Sequence, residues 1–258
     1  MESSDRGDLH IKPAIFFDLG NTLLYYQGDR VAIELEAYQA LAHSLSSFGI
    51  PLPTKKFLKR FQFAMQSYYR RRDITLVEET TLQQLVLVLA EFGFINQPHM
   101  ILRLALDQMY QVTEQYWQLD PDSKPCLVKL RTMGFHVGLI SNASDSPNVF
   151  RLLRRHELYP YFSTTLISSV VGFRKPHRQI FLSAMETCPR VPVNHIFMVG
   201  DLISTDIVGG NHNGMRTIWL SKHAELHDEG ESDPQVRPDL IFSSLDTLAT
   251  WMEEQYSG

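Results

Sequence analysis

The stretch Ala14-Ile15-Phe16-Phe17-Asp18-Leu19-Gly20-Asn21-Thr22 joins a short apolar run to a polar loop. An apolar run of this length before Gly and Asn predicts a buried strand that leads into a loop, so we expect Asp18 at the carboxyl end of a strand. The same pattern, an apolar run that ends in polar residues, recurs at 137–141 and at 195–201. Three predicted strands therefore each deliver a polar side chain at their tip.

Two further apolar runs, 217–220 and 240–242, predict additional buried strands. Strands that alternate with helices predict an α/β fold with a parallel sheet covered on both faces. Ligands bind outside the carboxyl ends of the strands in such sheets, so we expect the three polar tips to face one crevice. The predicted helices between or after the strands cover 123–134, 146–157, 177–187 and 245–255.

Residues 28–118 interrupt this alternation with several helical patterns rich in Leu, Ala, Gln, Phe and Tyr. The segment enters just after the first polar loop, so we expect an all-helical insertion that stands over the crevice as a lid. The expected organisation is a flexible leader at 1–12, a core formed by 13–27 and 119–258, and a helical insertion at 28–118.

Composition limits the classes of function. The chain has 258 residues, 44% of them hydrophobic, and a net charge of −5, so no general basic surface favours nucleic acid as a partner. Cys126 and Cys188 have no metal-ligand spacing and are expected to be free thiols, which fits a reducing compartment. The polar amino terminus does not resemble a signal peptide, and no apolar run reaches the length of a membrane span. We expect a cytoplasmic protein without a membrane partner.

The acidic residues at the strand tips suit phosphoryl transfer. Asp18 could attack phosphorus and form an aspartyl-phosphate, although an Asp that only caps the following turn is the simpler reading of this residue alone. Asp201 and Asp206 lie five positions apart. They could aim both carboxylates at one point, where a divalent cation such as Mg²⁺ would offset their repulsion, or they could act only as acids at the start of a helix.

Two other motifs offer groups that bind phosphate. Ser141 and Asn142 provide a hydroxyl and backbone N–H groups at the end of a predicted strand, a weak signal alone. Lys175 precedes Pro176, which restricts its backbone to an extended conformation, and its ammonium could pair with Asp18 and a phosphoryl group. Without the other motifs, an ordinary surface lysine would be the better interpretation.

Taken together, these residues resemble the four motifs of the haloacid dehalogenase superfamily, in order and over nearly the whole chain. The motifs are strand-Asp, strand-Ser, Gly-x-x-Lys-Pro, and strand-Gly-Asp followed after four residues by Asp. The resemblance implies a three-layer Rossmann-like core, an inserted helical cap domain, and Mg²⁺-dependent hydrolysis of a small phosphorylated metabolite. It further implies a nucleophile, Asp18, phosphate binders at Ser141, Asn142 and Lys175, and metal ligands at Asp18, Asp201, Asp206 and the carbonyl of Gly20.

Gly20 departs from that pattern. Phosphatases of the family generally place a second Asp two residues after the nucleophile, where it protonates the leaving oxygen and then activates water. General acid–base catalysis contributes about 10²–10⁴-fold, so Gly20 predicts a slow enzyme, a substitute acid, or a substrate that needs none. A substitute could be a cap residue, a metal-ordered water or the substrate itself.

Two alternatives stay open at this point. A 2-haloacid dehalogenase would also lack the second Asp, but Asp201 and Asp206 favour phosphate over halide. A regulatory protein could bind a phosphorylated ligand without turnover.

The aromatic and basic run 68–72 could contact a second anion or a flat ring on the substrate, or it could be a solvated helix face with its tyrosines packed inward. Sugar phosphates, phosphoglycolate and nucleoside monophosphates all remain candidate substrates, and the oligomeric state stays open.

Overall fold

The computed structural model describes residues 12–224 and 236–256, and the predicted leader lies almost wholly outside them. Within the described residues the strands are β1 Ala14–Phe17, β2 Leu24–Tyr26, β3 Trp117–Leu119, β4 His136–Ser141, β5 Thr164–Ile167, β6 Ile196–Gly200, β7 Arg216–Leu220 and β8 Leu240–Phe242. The helices are α1 Arg30–Ser47, α2 Thr54–Thr75, α3 Thr81–Glu91, α4 His99–Glu114, α5 Ser123–Thr132, α6 Ser146–Arg155, α7 Ser168–Val171, α8 Arg178–Glu186, α9 Val208–His212 and α10 Leu245–Tyr256.

Six strands form one parallel sheet in the order β5-β4-β1-β6-β7-β8. The predicted α/β fold with a parallel sheet is confirmed. β1 lies between β4 and β6, and all three are almost fully buried because helices cover both faces of the sheet. The carboxyl ends of these three strands therefore meet at one edge, which places the residues after them side by side.

Side chains of β1 alternate between two hydrophobic clusters. Ile15 and Phe17 pack on one face of the sheet with α5, α6 and α10. Ala14 and Phe16 pack on the other face with α8. Because successive side chains of a strand point to opposite faces, the continuous apolar run of β1 supplies both layers of the core.

The four helices α1 to α4 lie between β2 and β3 and have a hydrophobic cluster of their own. Each contributes buried side chains to this cluster, for example Leu41, Phe57, Leu85 and Leu106. β2 and β3 pair antiparallel, with Leu24 opposite Leu119, so the chain departs for these four helices and returns from them at one place. A division of the chain into domains at 28 and 118 stays a prediction.

The loop between α2 and α3 forms a short antiparallel contact with the segment before Lys175. The Glu78 N–H donates to the carbonyl of Gly172 at 2.9 Å, and the Arg174 N–H donates to the carbonyl of Leu76 at 3.0 Å. Backbone pairing of this kind fixes the helices relative to the sheet. Of the helices in the described ranges, none combines the length and the hydrophobicity required to cross a membrane.

Candidate active site

A cavity of about 290 Å³ opens where β1, β4 and β6 end. Its position matches the crevice expected at the carboxyl ends of parallel strands. All the residues to which the sequence assigns a role in the site line this cavity: Asp18, Gly20, Ser141, Asn142, Lys175, Asp201 and Asp206. The structure thus brings together every one of them, while their individual roles stay predictions.

Lys175 lies at the centre of this group. Its Nζ is 2.6 Å from Oδ1 of Asp18 and 2.6 Å from Oδ1 of Asp206, and its side chain is 1% exposed. Burial disfavours the ammonium, but the two carboxylates outweigh that effect and raise the pKa of Lys175. The lysine is therefore charged and held in place between two carboxylates.

Backbone hydrogen bonds position the two strand-tip aspartates. The Asp18 N–H donates to the carbonyl of Val199 at 2.8 Å, which extends the pairing of β1 with β6 by one residue. Asp201 follows β6, and its carboxylate accepts a hydrogen bond of 3.3 Å from the Thr22 hydroxyl. The Trp219 indole N–H donates to the Asp201 carbonyl at 2.8 Å, so neighbouring β7 fixes this turn as well.

Asp206 lies in a turn of π-helix, Ile203–Ile207, and Oδ2 of its carboxylate accepts a hydrogen bond from the Leu202 N–H at 3.2 Å. Its carboxylate packs directly on Gly200, where a Cβ would stand only 2.1 Å from Oδ2. Any larger residue at position 200 would displace the carboxylate. The glycine in the Gly-Asp motif is therefore explained by this close approach.

Three carboxylates lie near one ammonium, and burial together with their mutual repulsion disfavours the charged forms of Asp201 and Asp206. Burial, with help from Asp18 and Asp206, raises the pKa of Asp201 to about 8. Burial also raises the pKa of Asp206 to about 6, although Lys175 opposes the shift. A divalent cation would relieve this repulsion, so the carboxylate set fits Mg²⁺.

Within the described residues, no three His, Cys, Asp or Glu side chains converge into a complete metal site by themselves. Mg²⁺ does not require such a cage, because it is usually held by one or two carboxylates together with water and substrate phosphate. Gly20 lines the same cavity, and a backbone carbonyl is an oxygen donor of the kind that this ion takes.

Ser141 and Asn142 differ in what their side chains do. Ser141 ends β4, is buried and lines the cavity. The Asn142 side chain makes two hydrogen bonds with the backbone of Lys175. Oδ1 of Asn142 accepts from the Lys175 N–H at 2.7 Å, and Nδ2 of Asn142 donates to the Lys175 carbonyl at 3.0 Å. Asn142 thus positions the lysine, and any contact with phosphate would come from its backbone.

The side chains that line the cavity without a role assigned from the sequence include Arg30 of α1, Trp117 of β3, and Arg174. Arg174 is adjacent to Lys175 and could have been found as a second cation in the same motif. Trp117 carries no local signal, because it lies far along the chain from the residues that it joins. Its indole contacts Gly20, where a Cβ would stand 3.1 Å from Cη2.

The aromatic and basic run 68–72 does not contribute to the described cavity lining. Tyr68 is buried and donates a hydrogen bond to Glu78, and Arg71 pairs with Glu79 at 2.8 Å. Arg72 lies over the Tyr69 ring at 4.3 Å. These contacts agree with the alternative in which the tyrosine packs inward, and they do not support a contact of this run with a second anion of the substrate.

Comparison with known proteins identifies the family. The profile of the haloacid dehalogenase-like hydrolases matches residues 12–214. The chain belongs to the haloacid dehalogenase-like hydrolase family, and it is therefore an enzyme of the hydrolase class. This confirms the family that the four motifs resemble.

One curated relative is the glyceraldehyde 3-phosphate phosphatase of Pyrococcus abyssi, 30% identical over 58% of this chain and 68% of its own length. Among solved structures, the 2-haloacid dehalogenase of Pseudomonas syringae superposes with a TM-score of 0.66 at 23% identity, covering 95% of this chain and 100% of its own. The magnesium-bound HAD-hydrolase YfnB of Bacillus subtilis has a TM-score of 0.57 at 22% identity and covers 93% of this chain and 98% of its own. These two likenesses establish the fold alone.

Proposed function

We propose that this enzyme hydrolyses a small phosphomonoester in a Mg²⁺-dependent reaction through an aspartyl-phosphate on Asp18. The observation that carries the proposal is the position of the Lys175 ammonium, 2.6 Å from both Asp18 and Asp206 in a cavity at the strand ends. A carboxylate held beside a buried cation suits attack on the phosphorus of a phosphoryl group, because the cation offsets the negative charge on the phosphoryl oxygens. The name of the Pyrococcus abyssi relative supports a phosphorylated substrate.

In the first step a carboxylate oxygen of Asp18 forms a bond to phosphorus, and the bond from phosphorus to the leaving oxygen breaks. The leaving oxygen keeps the electron pair. Water then displaces Asp18 from phosphorus, which releases inorganic phosphate and restores the carboxylate. Lys175 and the Ser141 hydroxyl would bind the phosphoryl oxygens throughout, while the Asn142 side chain holds the Lys175 backbone.

The cation would be held by Asp18, Asp201, Asp206 and the Gly20 carbonyl. When bound, Mg²⁺ would neutralise charge on the phosphoryl oxygens and help to orient them. The Thr22 hydroxyl and the Leu202 N–H keep the carboxylates of Asp201 and Asp206 in their orientations.

We also propose that part of the chain acts as a cap over the cavity. Helices α1 to α4, within 28–118, would form a domain that covers the cavity and selects the substrate, since Arg30 of α1 lines the cavity. A cytoplasmic location is also proposed, and the free thiols of Cys126 and Cys188 support it. The substrate would be a small phosphorylated metabolite, as the size of the cavity suggests.

The test measures hydrolysis of 4-nitrophenyl phosphate by purified protein with Mg²⁺ and with EDTA. Asp18→Asn is run beside it, so that a contaminating phosphatase is recognised. Asp246→Asn is the matched control, because Asp246 is exposed at the start of α10. We expect phosphate release that requires both Mg²⁺ and Asp18 and that survives in Asp246→Asn.

Activity that persists in Asp18→Asn would overturn the proposal. Halide release from a 2-haloacid without added Mg²⁺ would instead support the dehalogenase alternative. Binding of a phosphorylated ligand without any turnover would support the regulatory alternative.

A further inference from the structure

We propose that Trp117 selects the leaving group of the substrate, and that the enzyme prefers phosphates of flat, weakly basic leaving groups such as aryl, enol or acyl oxygens. This inference rests on the proposed phosphatase function and narrows its substrate class. The observation behind it is the contact between Trp117 and Gly20, two residues after the proposed nucleophile.

The indole of Trp117 occupies the space that a side chain at position 20 would need. A Cβ on Gly20 would stand 3.1 Å from Cη2 and 3.5 Å from Cζ3 of the ring, so even one added carbon would require the ring to shift. The indole of Trp117, instead of a polar side chain, therefore lines the cavity beside Gly20.

The position of this ring is built into the fold. Trp117 lies directly opposite Tyr26 in the pairing of β3 with β2. The two rings meet edge to face with their centroids 5.1 Å apart, and Trp117 also packs against the main hydrophobic cluster. Leu24, Val149 and Leu152 line the same cavity and add apolar surface. A flat, unsaturated group can pack on such a wall.

Among the ionisable side chains in the described part of the cavity lining, none is a spare acid for the leaving oxygen. Lys175 is engaged by two carboxylates, and the guanidinium groups of Arg30 and Arg174 do not give up protons. Asp18, Asp201 and Asp206 are assigned to attack and to cation binding. A leaving group must then depart as an oxyanion and take its proton from water.

Chemistry decides which oxygens can leave in this way. A phenol ionises near pH 10, whereas an ordinary alcohol resembles water and is a far weaker acid. When the bond from phosphorus to the leaving oxygen breaks, a phenolate or enolate spreads the electron pair over its π system. An alkoxide cannot, so alkyl esters should react slowly. The flat shape of the favoured leaving groups is also the shape that packs on Trp117.

The experiment compares phenyl phosphate with ethyl phosphate in the presence of Mg²⁺. We expect kcat/KM to favour phenyl phosphate by about 10²-fold or more, the usual size of an absent general acid. Trp117→Leu keeps an apolar side chain but removes the ring, so we expect KM for phenyl phosphate to rise about 3- to 10-fold. Trp117→Phe keeps an aromatic face and should restore most of that loss.

Equal kcat/KM for the two esters in the wild type would overturn this inference, and so would equal KM values in Trp117→Phe and Trp117→Leu. Either result, obtained with hydrolysis that still depends on Asp18, leaves the proposed phosphatase function intact. If phenyl phosphate hydrolysis does not depend on Asp18, the proposed function itself fails. The two conclusions can therefore be told apart.

Discussion

The Ser168 hydroxyl donates a hydrogen bond of 2.8 Å to Oε2 of Glu78, which joins the start of α7 to the loop after α2. The Tyr68 hydroxyl donates to the other oxygen of the same carboxylate, and the Glu78 side chain is fully buried. Ser168 also accepts a hydrogen bond of 2.8 Å from the Ala143 N–H. One hydroxyl thus connects the helical insertion to the loop that follows Ser141.

Ser168→Ala should lower the free energy of unfolding by about 1–3 kcal/mol. The substitution leaves a buried carboxylate oxygen and a partly buried N–H each without one partner, and unsatisfied buried groups cost about this much. Urea denaturation followed by circular dichroism measures the change. Ser169→Ala is the control, because the buried Ser169 hydroxyl has no hydrogen-bond partner among the described residues. Equal losses in the two variants would contradict the prediction.

Arg151→Met should destabilise the protein by about 1–3 kcal/mol, because it removes two ion pairs. The loss stays moderate because both ion pairs are only partly buried. Arg151 of α6 contacts two carboxylates of α4, with Nη1 2.6 Å from Asp107 Oδ1 and Nε 2.7 Å from Glu114 Oε1. A lysine cannot reproduce these two contacts from a planar group. We therefore expect Arg151→Lys to recover little of the loss in urea denaturation. Full recovery by lysine would show that only the charge matters.

Lys175→Met should reduce kcat/KM for 4-nitrophenyl phosphate by about 10²–10³-fold or more, the loss typical of one positioned electrostatic donor. The reason is the loss of the cation between Asp18 and Asp206. Steady-state kinetics with saturating Mg²⁺ provide the measurement. Lys129→Met, which removes a partly exposed ion pair with Glu253, serves as the control and should keep full activity. A loss of less than tenfold in Lys175→Met would argue against the assigned role.

The metal-free protein should lose stability as the pH rises from about 4 to 8. Asp201 has a pKa raised from 3.8 to about 8 in the folded state, so the folded protein binds more protons than the unfolded chain in this window. The free energy of unfolding changes with pH in proportion to the number of protons bound by the unfolded state minus the number bound by the folded state. That difference is negative here, so stability falls with increasing pH. Urea denaturation in EDTA across this range measures the slope.

Histidines titrate in the same range, so the comparison is made with Asp201→Asn. We expect the variant to show a smaller loss of stability between pH 5 and 8 than the wild type. Mg²⁺ should also reduce the loss in the wild type, since a ligand that binds only the folded state stabilises it. Identical slopes in the two proteins would contradict the raised pKa.

The parts of the fold that the sequence predicted are those with a local signal. Each central strand is a continuous apolar run that ends in a polar residue, so β1, β4 and β6 could be found with their tips. β2 and β3 have three residues each, too few for a period to show. β5 is Thr164–Ile167, in which two threonines replace the apolar run.

The same distinction holds for the site. Asp18, Lys175 and Asp201 belong to motifs that can be read from neighbours in the chain. The contact of Gly20 with Trp117 joins residues almost a hundred positions apart, and only the pairing of β2 with β3 brings them together. The use of the Asn142 side chain by the Lys175 backbone is likewise a product of folding. Long-range contacts of this kind leave no pattern in a single sequence.

The pairing of Leu24 with Leu119 has a consequence for how such an enzyme can diversify. Adjacent strands lie about 4.8 Å apart, so the chain departs for α1 and returns from α4 at two neighbouring points. Insertions between β2 and β3 can change these helices without altering the connection of β1 to the rest of the sheet, provided that the contacts of Glu78 with Gly172 and Ser168 are kept. The aspartates at the strand ends and the helices between β2 and β3 can therefore evolve at different rates, as two parts of one inherited gene.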